Sequence, residues 1–315
     1  MKIKLLVFTL IIAVLFDIAG LVFFILFLNN EGKMRGMKKY RDNMSSQMQY
    51  LRNTQAYSGN TDAGAPQRVD FISQLDGKKD EYVVSAPGLA DGMQDLTLFV
   101  YLHGMGSPPM EPYLVPKEKP IAAALLERYP HSAFASLNYR GNSSWLNDQA
   151  IADVNQNIRE LLQRYPAKKI VLLGTSMGAC SVLAYSYLAP EDISQLIAGV
   201  VACEGAGDLI KLYKETPSHI VKSGFVQAFG APPDVNPLAY QKRSLLLNLD
   251  QVKSNRRYAI LSATRDSVIP AKFQAALIQG LSERGIQSKL VEFPDQHGIP
   301  EATYYLQGTN FVLGN

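Results

Sequence analysis

From Val69 onward, segments with the pattern of strands alternate with segments that have the pattern of helices. The segments Leu96–Leu102 and Lys169–Leu173 are apolar except for Thr97 and Lys169, which is typical of strands buried on both faces. Between them, Asp148–Tyr165 repeats its apolar residues at helical spacing. This alternation predicts an α/β domain, a mostly parallel sheet with helices on both faces. The other predicted strands are Val69–Leu75, Glu81–Ala86, Ala133–Asn138, Ile197–Cys203, Tyr258–Ala263 and Ser288–Phe293, and the other predicted helices are Lys119–Tyr129, Met177–Leu188 and Ala271–Arg284.

Composition excludes several classes of protein. Hydrophobic residues make up 47% of the 315 residues and charged residues 19%, which excludes a mainly disordered or fibrous chain. A net charge of +3 is too even to indicate a nucleic-acid partner. The two cysteines, Cys180 and Cys203, lack the spacing of a zinc site, so we expect free buried thiols and no structural zinc.

The N-terminus departs from the globular pattern. Leu5–Leu28 is apolar except for Asp17, and a helix over these residues would be about 36 Å long, enough to cross a bilayer. We therefore predict an uncleaved transmembrane anchor with the lipid bilayer as partner; a cleaved signal peptide and a buried helix are the alternatives. Basic residues flank both ends of this segment, so the side of the membrane that the domain faces stays open. The role of Asp17 also stays open.

These patterns divide the chain into three predicted parts. Residues 1–28 form the anchor, 29–67 a basic juxtamembrane segment and linker, and 68–315 the α/β domain. Within that domain, residues from about 205 to 256 show no strand pattern and predict a small helical cap. We expect the cap to cover the carboxyl ends of the strands, where open α/β sheets bind their ligands.

One serine has the sequence context of a nucleophile. Gly174–Gly178 (Gly-Thr-Ser-Met-Gly) directly follows the strand Lys169–Leu173 and begins a helix at Met177. A turn this tight strains the backbone of Ser176 and requires small neighbours, which the two glycines supply. The pattern predicts a nucleophile elbow with Ser176 above the sheet; an ordinary helix cap is the alternative.

A serine nucleophile needs a general base and an acid that orients it. His297 follows the last predicted strand, so its loop returns to the same edge of the sheet as Ser176. Asp266 follows the strand Tyr258–Ala263 and is the predicted acid, with Glu204 as its competitor. Serine, aspartate and histidine in this chain order are typical of α/β-hydrolases. The other histidines are interpreted as structural or solvated: His103, His131 and His219.

The reaction also needs donors for the oxygen on which negative charge develops. His103–Gly106 (His-Gly-Met-Gly) follows the strand Leu96–Leu102, where an oxyanion loop is expected. We predict that the backbone N–H groups of Met105 and Met177 converge on that oxygen.

These motifs carry a family resemblance. Val69 to Asn315 resembles the α/β-hydrolase family, and within it the catalytic domains of prolyl-oligopeptidase-type enzymes and related esterases. The resemblance implies serine hydrolysis without cofactor or metal, with Ser176, Asp266 and His297 as the triad. Those peptidases carry a large N-terminal β-propeller, for which about 70 preceding residues are too few, and their oxyanion tyrosine is absent here. The segments carrying the resemblance are His103-Gly104, Asn138–Gly141, Gly174–Gly178, Gly230–Tyr240, Asp266 with Val268 and Pro270, and His297-Gly298.

The sequence thus predicts a membrane-anchored serine hydrolase that cleaves a small acyl substrate through an acyl-enzyme. A carboxylic ester is favoured, because a minimal cap and a single domain suit small acyl groups. A peptidase or amidase of prolyl-oligopeptidase type is the first alternative. A non-catalytic, hydrolase-like membrane scaffold is the second.

Overall fold

The computed structural model describes residues 65–87, 95–114 and 119–314. The predicted anchor at residues 1–28 and most of the predicted linker lie outside these ranges. Within them, no helix has the length and apolar character that crossing a membrane requires.

An eight-stranded sheet forms the centre of the described domain, with the strand order β1-β2-β4-β3-β5-β6-β7-β8. β1 and β2 form an antiparallel hairpin, and β2 also pairs antiparallel with β4. All other neighbouring strands are parallel, as their continuous apolar sequences predict. The strands are β1 Gln67–Ile72, β2 Lys79–Ser85, β3 Leu96–Leu102, β4 Ser132–Leu137, β5 Ala167–Thr175, β6 Ile197–Cys203, β7 Arg257–Ala263 and β8 Ser288–Phe293.

Helices cover both faces of this sheet. α1 and α9 pack on one face, and α2, α3 and α8 pack on the other. In β5, Val171 and Leu173 point into the core under α1 and α9, and Ile170 and Leu172 point into the core under α2, α3 and α8, since successive strand residues face opposite sides. The helices are α1 Ile121–Arg128, α2 Asp148–Arg164, α3 Met177–Leu188, α4 Glu191–Ser194, α5 Leu209–Glu215, α6 His219–Phe229, α7 Pro237–Gln241, α8 Lys272–Glu283 and α9 Ala302–Leu313.

The excursion between β6 and β7 contains α5, α6 and α7, followed by two short 3-10 turns. Aromatic rings hold it together: Phe225 stacks on Trp145 at 3.8 Å and contacts Tyr240 at 5.5 Å between ring centroids. The buried Arg243 joins it to the body by donating to the carbonyl of Leu146 and, at 2.7 Å, to Asp148. The excursion is therefore a packed part of the domain.

The predicted elements agree with the structure except at a few ends. β1 stops at Ile72 rather than Leu75, because residues 74–76 turn back toward β2. The last helix, α9, was not predicted. Cys180 and Cys203 are free and buried, as predicted, and burial raises the pKa of Cys180 to about 12.

Candidate active site

Ser176 lies at the turn between β5 and α3 with a strained backbone. Its φ is +56° and its ψ is −115°, a conformation that non-glycine residues rarely adopt. Its N–H donates to the carbonyl of Cys203 on the neighbouring strand at 2.8 Å. Its own carbonyl accepts the first hydrogen bond of the helix, from Cys180 at 3.0 Å. The strand before it and the helix after it thus fix the serine at the edge of the sheet.

The two glycines of the elbow allow close backbone contact. A Cβ on Gly178 would lie 1.8 Å from the carbonyl oxygen of Leu102, and one on Gly174 would lie 2.5 Å from the carbonyl oxygen of Gly178. Both distances are far below van der Waals contact, so neither position accepts a side chain. This is the steric role that the sequence pattern predicts for them.

The structure brings Ser176, His297 and Asp266 together. The Ser176 Oγ lies 2.8 Å from His297 Nε2, and His297 Nδ1 lies 2.7 Å from Asp266 Oδ2. The imidazole is partly exposed, whereas the side chain of Asp266 is buried. With Nδ1–H donating to Asp266, Nε2 can accept the serine proton, which is the arrangement of a catalytic triad.

Asp266 is held by the loop that follows β7. Its Oδ1 accepts the N–H groups of Val268 at 2.7 Å and Ile269 at 2.9 Å, which leaves Oδ2 for the imidazole. The loop therefore fixes the orientation of the acid.

Glu204, the competing acid in the sequence, also reaches the imidazole. Its Oε2 lies 3.1 Å from His297 Nδ1 and accepts the N–H of Gly298 at 2.8 Å. Burial raises the pKa of Glu204 to about 9, with the charges of nearby Asp266, Asp295 and Glu111 acting in the same direction. Two carboxyl groups thus face one imidazole, and the sequence analysis treated them as exclusive alternatives.

The predicted oxyanion loop runs beside the nucleophile. A Cβ built on Gly104 would lie 3.8 Å from the Cβ of Ser176. Met177 is the first residue of α3, where a backbone N–H has no acceptor within the helix. The N–H of Met105 has no backbone acceptor among the described residues. Met177 therefore follows Ser176 directly in the chain, and Met105 follows a glycine that lies beside Ser176.

A buried glutamate that the sequence analysis missed supports this loop. Glu111 accepts the N–H of Gly104 with both carboxylate oxygens, at 3.0 and 3.1 Å, and the hydroxyl of Tyr101 at 2.6 Å. Tyr101 is 2.5 Å from the hydroxyl of Thr175, which is 2.6 Å from that of Tyr305. The network connects the oxyanion loop to the residue before the nucleophile. Its only sequence signal is a glutamate seven residues after Gly104 in a proline-rich loop, a setting typical of solvated side chains.

The remaining histidines lie outside the triad. His103 is fully buried, and its ring nitrogens lie 2.8 Å from the carbonyl of Gly104 and 3.2 Å from that of Asn138. His131 and His219 are exposed. His103 thus fixes the path of the oxyanion loop, as its structural interpretation predicts.

One group of side chains offers atoms of the kind that bind metals. The nearest ligand atoms of Glu204, Asp266 and His297 all lie within 4.8 Å of one another. Two of the three belong to the serine–histidine–aspartate chain, and hydrogen bonds among them and to Gly298 account for the cluster.

Residues 136–313, more than half of the chain, match the sequence model of the prolyl oligopeptidase family. The matched region contains the elbow, Asp266 and His297. This chain belongs to the prolyl oligopeptidase family. The comparison of this chain with curated protein sequences found no match.

The solved structures that resemble this member of the family include two peptidases. A puromycin-hydrolyzing peptidase from Mycobacterium tuberculosis aligns with a TM-score of 0.59 at 16% identity, covering 81% of this chain and 40% of that one. An acylaminoacyl peptidase from Pyrococcus horikoshii aligns with a TM-score of 0.61 at 17% identity, covering 80% and 42%. At such identities the likeness shows the fold, an α/β-hydrolase. This chain spans about 40% of the length of those proteins.

The family match changes the balance between the predicted functions. The expectation of a serine hydrolase with an α/β-hydrolase fold is supported. The preference for a carboxylic ester depended on the minimal cap and the single domain, and the family fits the peptidase alternative better.

Proposed function

We propose that this chain is a serine peptidase that hydrolyses the amide bond of short peptides or other small aminoacyl amides. The observation that carries the proposal is the chain of contacts from the Ser176 hydroxyl through His297 to Asp266, 2.8 and 2.7 Å long, on a strained elbow. Membership of the prolyl oligopeptidase family supports the peptidase class. Two similar structures, a puromycin-hydrolyzing peptidase and an acylaminoacyl peptidase, support small acylated or aminoacylated substrates.

In the proposed reaction, the Ser176 Oγ attacks the carbonyl carbon while His297 Nε2 takes its proton. The negative charge on the carbonyl oxygen is stabilised by the N–H groups of Met105 and Met177. The C–N bond breaks as His297 returns the proton to the leaving amine. Water then attacks the acyl-enzyme with His297 as base, which frees the acid product and restores Ser176. Asp266 keeps Nδ1 protonated and stabilises the imidazolium throughout.

Matched pairs of substrates test the choice between amide and ester. Each of several aminoacyl, N-acylaminoacyl and fatty acyl groups is presented both as an anilide and as an activated ester, to the wild type and to Ser176→Ala. We expect release of the amine from aminoacyl or N-acylaminoacyl anilides by the wild type, at rates abolished in the variant. Turnover of esters with no anilide cleavage above the Ser176→Ala background would favour the esterase instead.

We also propose that residues 5–28 anchor the chain in a lipid bilayer. The support is their length and apolar sequence, interrupted only by Asp17. The full chain should sediment with phospholipid vesicles after an alkaline wash, and a chain that begins at Pro66 should stay in the supernatant. Equal sedimentation of the two would contradict the anchor.

A further inference from the structure

Glu204 has a backbone that its neighbours force into an uncommon conformation. It directly follows β6, and its N–H donates to the carbonyl of Leu261 on β7 at 2.8 Å. Its φ is +57°, in the left-handed region that disfavours side chains. Strained residues of this kind cluster at functional sites, where the surroundings hold them in place. This conformation directs the side chain of Glu204 toward the loop that contains His297.

The side chain of Glu204 contacts two consecutive residues of the histidine loop. The fully buried carboxyl group of Glu204 contacts His297 and Gly298 through one oxygen, at 3.1 Å to Nδ1 and 2.8 Å to the N–H of Gly298. The other oxygen, Oε1, has no hydrogen-bond partner among the described residues. Oε2 thus contacts both the imidazole and the next peptide group, whereas Oε1 makes no hydrogen bond to the described residues.

The two carboxyl groups differ in their surroundings. Asp266 is closer to Nδ1, at 2.7 Å, and accepts hydrogen bonds from two backbone amides. Glu204 has one amide, and burial disfavours its ionisation. The other acidic groups that act on it are Asp295 and Glu111, with the buried thiol of Cys203 beside it in the chain. Asp266 is therefore the closer and more fully hydrogen-bonded partner of the imidazole, whereas burial favours the protonated form of Glu204.

We propose that Glu204 is a positioning residue of the triad and a reserve acid for His297. While it is protonated, Glu204 holds the imidazole of His297 in place. It ionises to take over the role of Asp266 when the carboxylate of Asp266 is removed. Losing that charge removes the main repulsion acting on a Glu204 carboxylate. The proposal rests on the proposed function in one respect, that Ser176 is the nucleophile activated by His297.

The test measures how fast a fluorophosphonate labels Ser176, which requires no knowledge of the natural substrate. Asp266→Asn should slow labelling about 10²-fold, whereas adding Glu204→Gln should slow it about 10⁴-fold, the loss typical of a triad with no acid. Glu204→Gln alone should slow labelling about threefold. The matched control adds Glu160→Gln, whose carboxylate on α2 accepts the Tyr82 hydroxyl, and should leave the rate of Asp266→Asn unchanged.

The pH dependence separates a reserve acid from a merely structural glutamate. In Asp266→Asn, labelling should accelerate as the pH rises toward the pKa of Glu204, because only the ionised form replaces Asp266. The acceleration should extend at least one pH unit further into alkali than in the wild type, and Asp266→Asn/Glu204→Gln should lack it. If the double variant fails to fold, as circular dichroism would show, the profile of Asp266→Asn decides alone.

Two outcomes overturn the proposal while leaving the proposed function intact. The first is labelling of wild-type Ser176 with equal rates for Asp266→Asn and the double variant. The second is an Asp266→Asn profile that has the same shape as that of the wild type. Absence of any adduct on Ser176 in the wild type would instead overturn the proposed function, and this inference with it.

Discussion

Asp266 and Glu204 reach the same imidazole nitrogen from two neighbouring strands, yet their surroundings differ. The loop after β7 gives Asp266 two backbone amides, which donate to one of its carboxyl oxygens. The end of β6 gives Glu204 one amide and a strained backbone, and burial raises the pKa of Glu204 to about 9. Proximity to a histidine therefore does not by itself define the acid of a triad. The hydrogen bonds that each carboxyl group accepts, and its burial, distinguish the two.

The largest expected effect comes from removing the shared partner. His297→Gln should lower kcat/KM about 10⁵-fold, because both carboxyl groups act only through this ring and Ser176 loses its base. Steady-state kinetics on the best anilide measure the loss. A smaller loss than that of Asp266→Asn would mean that the carboxyl groups act on the reaction by another route.

The next effect is on stability. Glu204 has a raised pKa in the folded state, so the folded protein holds a proton that the unfolded chain releases above pH 4.5. The free energy of unfolding should therefore fall as the pH rises from about 5 to 9, by up to about 1.4 kcal/mol per pH unit from this group. Urea unfolding of the wild type and Glu204→Gln at several pH values measures it. Parallel pH dependences for the two proteins would show that Glu204 is ionised in the native state.

Asp266, unlike Glu204, should stabilise the fold by accepting hydrogen bonds from the backbone of its own loop. Asp266→Ala removes the acceptor of two backbone amides and should cost about 2 kcal/mol of unfolding free energy relative to Asp266→Asn, which keeps an acceptor. Denaturant midpoints for the two variants measure the difference. Equal midpoints would show that the Val268 and Ile269 amides find other partners.

The smallest effect concerns a third buried carboxyl group, which supports the oxyanion loop rather than the histidine. Glu111→Gln weakens the hold on the Gly104 amide and should lower kcat about tenfold with KM nearly unchanged, because the loop then presents the Met105 N–H less accurately. Its pH profile should keep the wild-type shape. A displaced profile would place Glu111 in the proton transfer instead.

Much of the fold is readable in the sequence because its strands are apolar and continuous. β3, α3, β6 and β8 have the boundaries that the pattern predicts, and Ser176 was recognisable from its elbow. α9 escaped because its apolar residues alternate with tyrosine, glutamine and threonine, although it packs on β6 and β7. Tertiary contact, not local pattern, makes this segment a helix.

The candidate site was predictable only in part, for a related reason. Chain order and strand ends place Asp266 and His297 at one edge of the sheet, but they place Glu204 there equally well. Which carboxyl group ionises depends on amides and burial that arise only in the folded state. The contact of Glu111 with Gly104 likewise requires the loop to fold back on itself, and no spacing rule indicates it.

The most direct test of the central claim is to identify the residue that reacts. The full-length protein is treated with a fluorophosphonate and digested, and the adduct is located by mass spectrometry, with Ser176→Ala as the control. The account predicts one adduct, on Ser176, formed in parallel with the loss of anilide hydrolysis. Labelling of Ser176→Ala as strong as that of the wild type, or full hydrolysis by fully labelled protein, would contradict it.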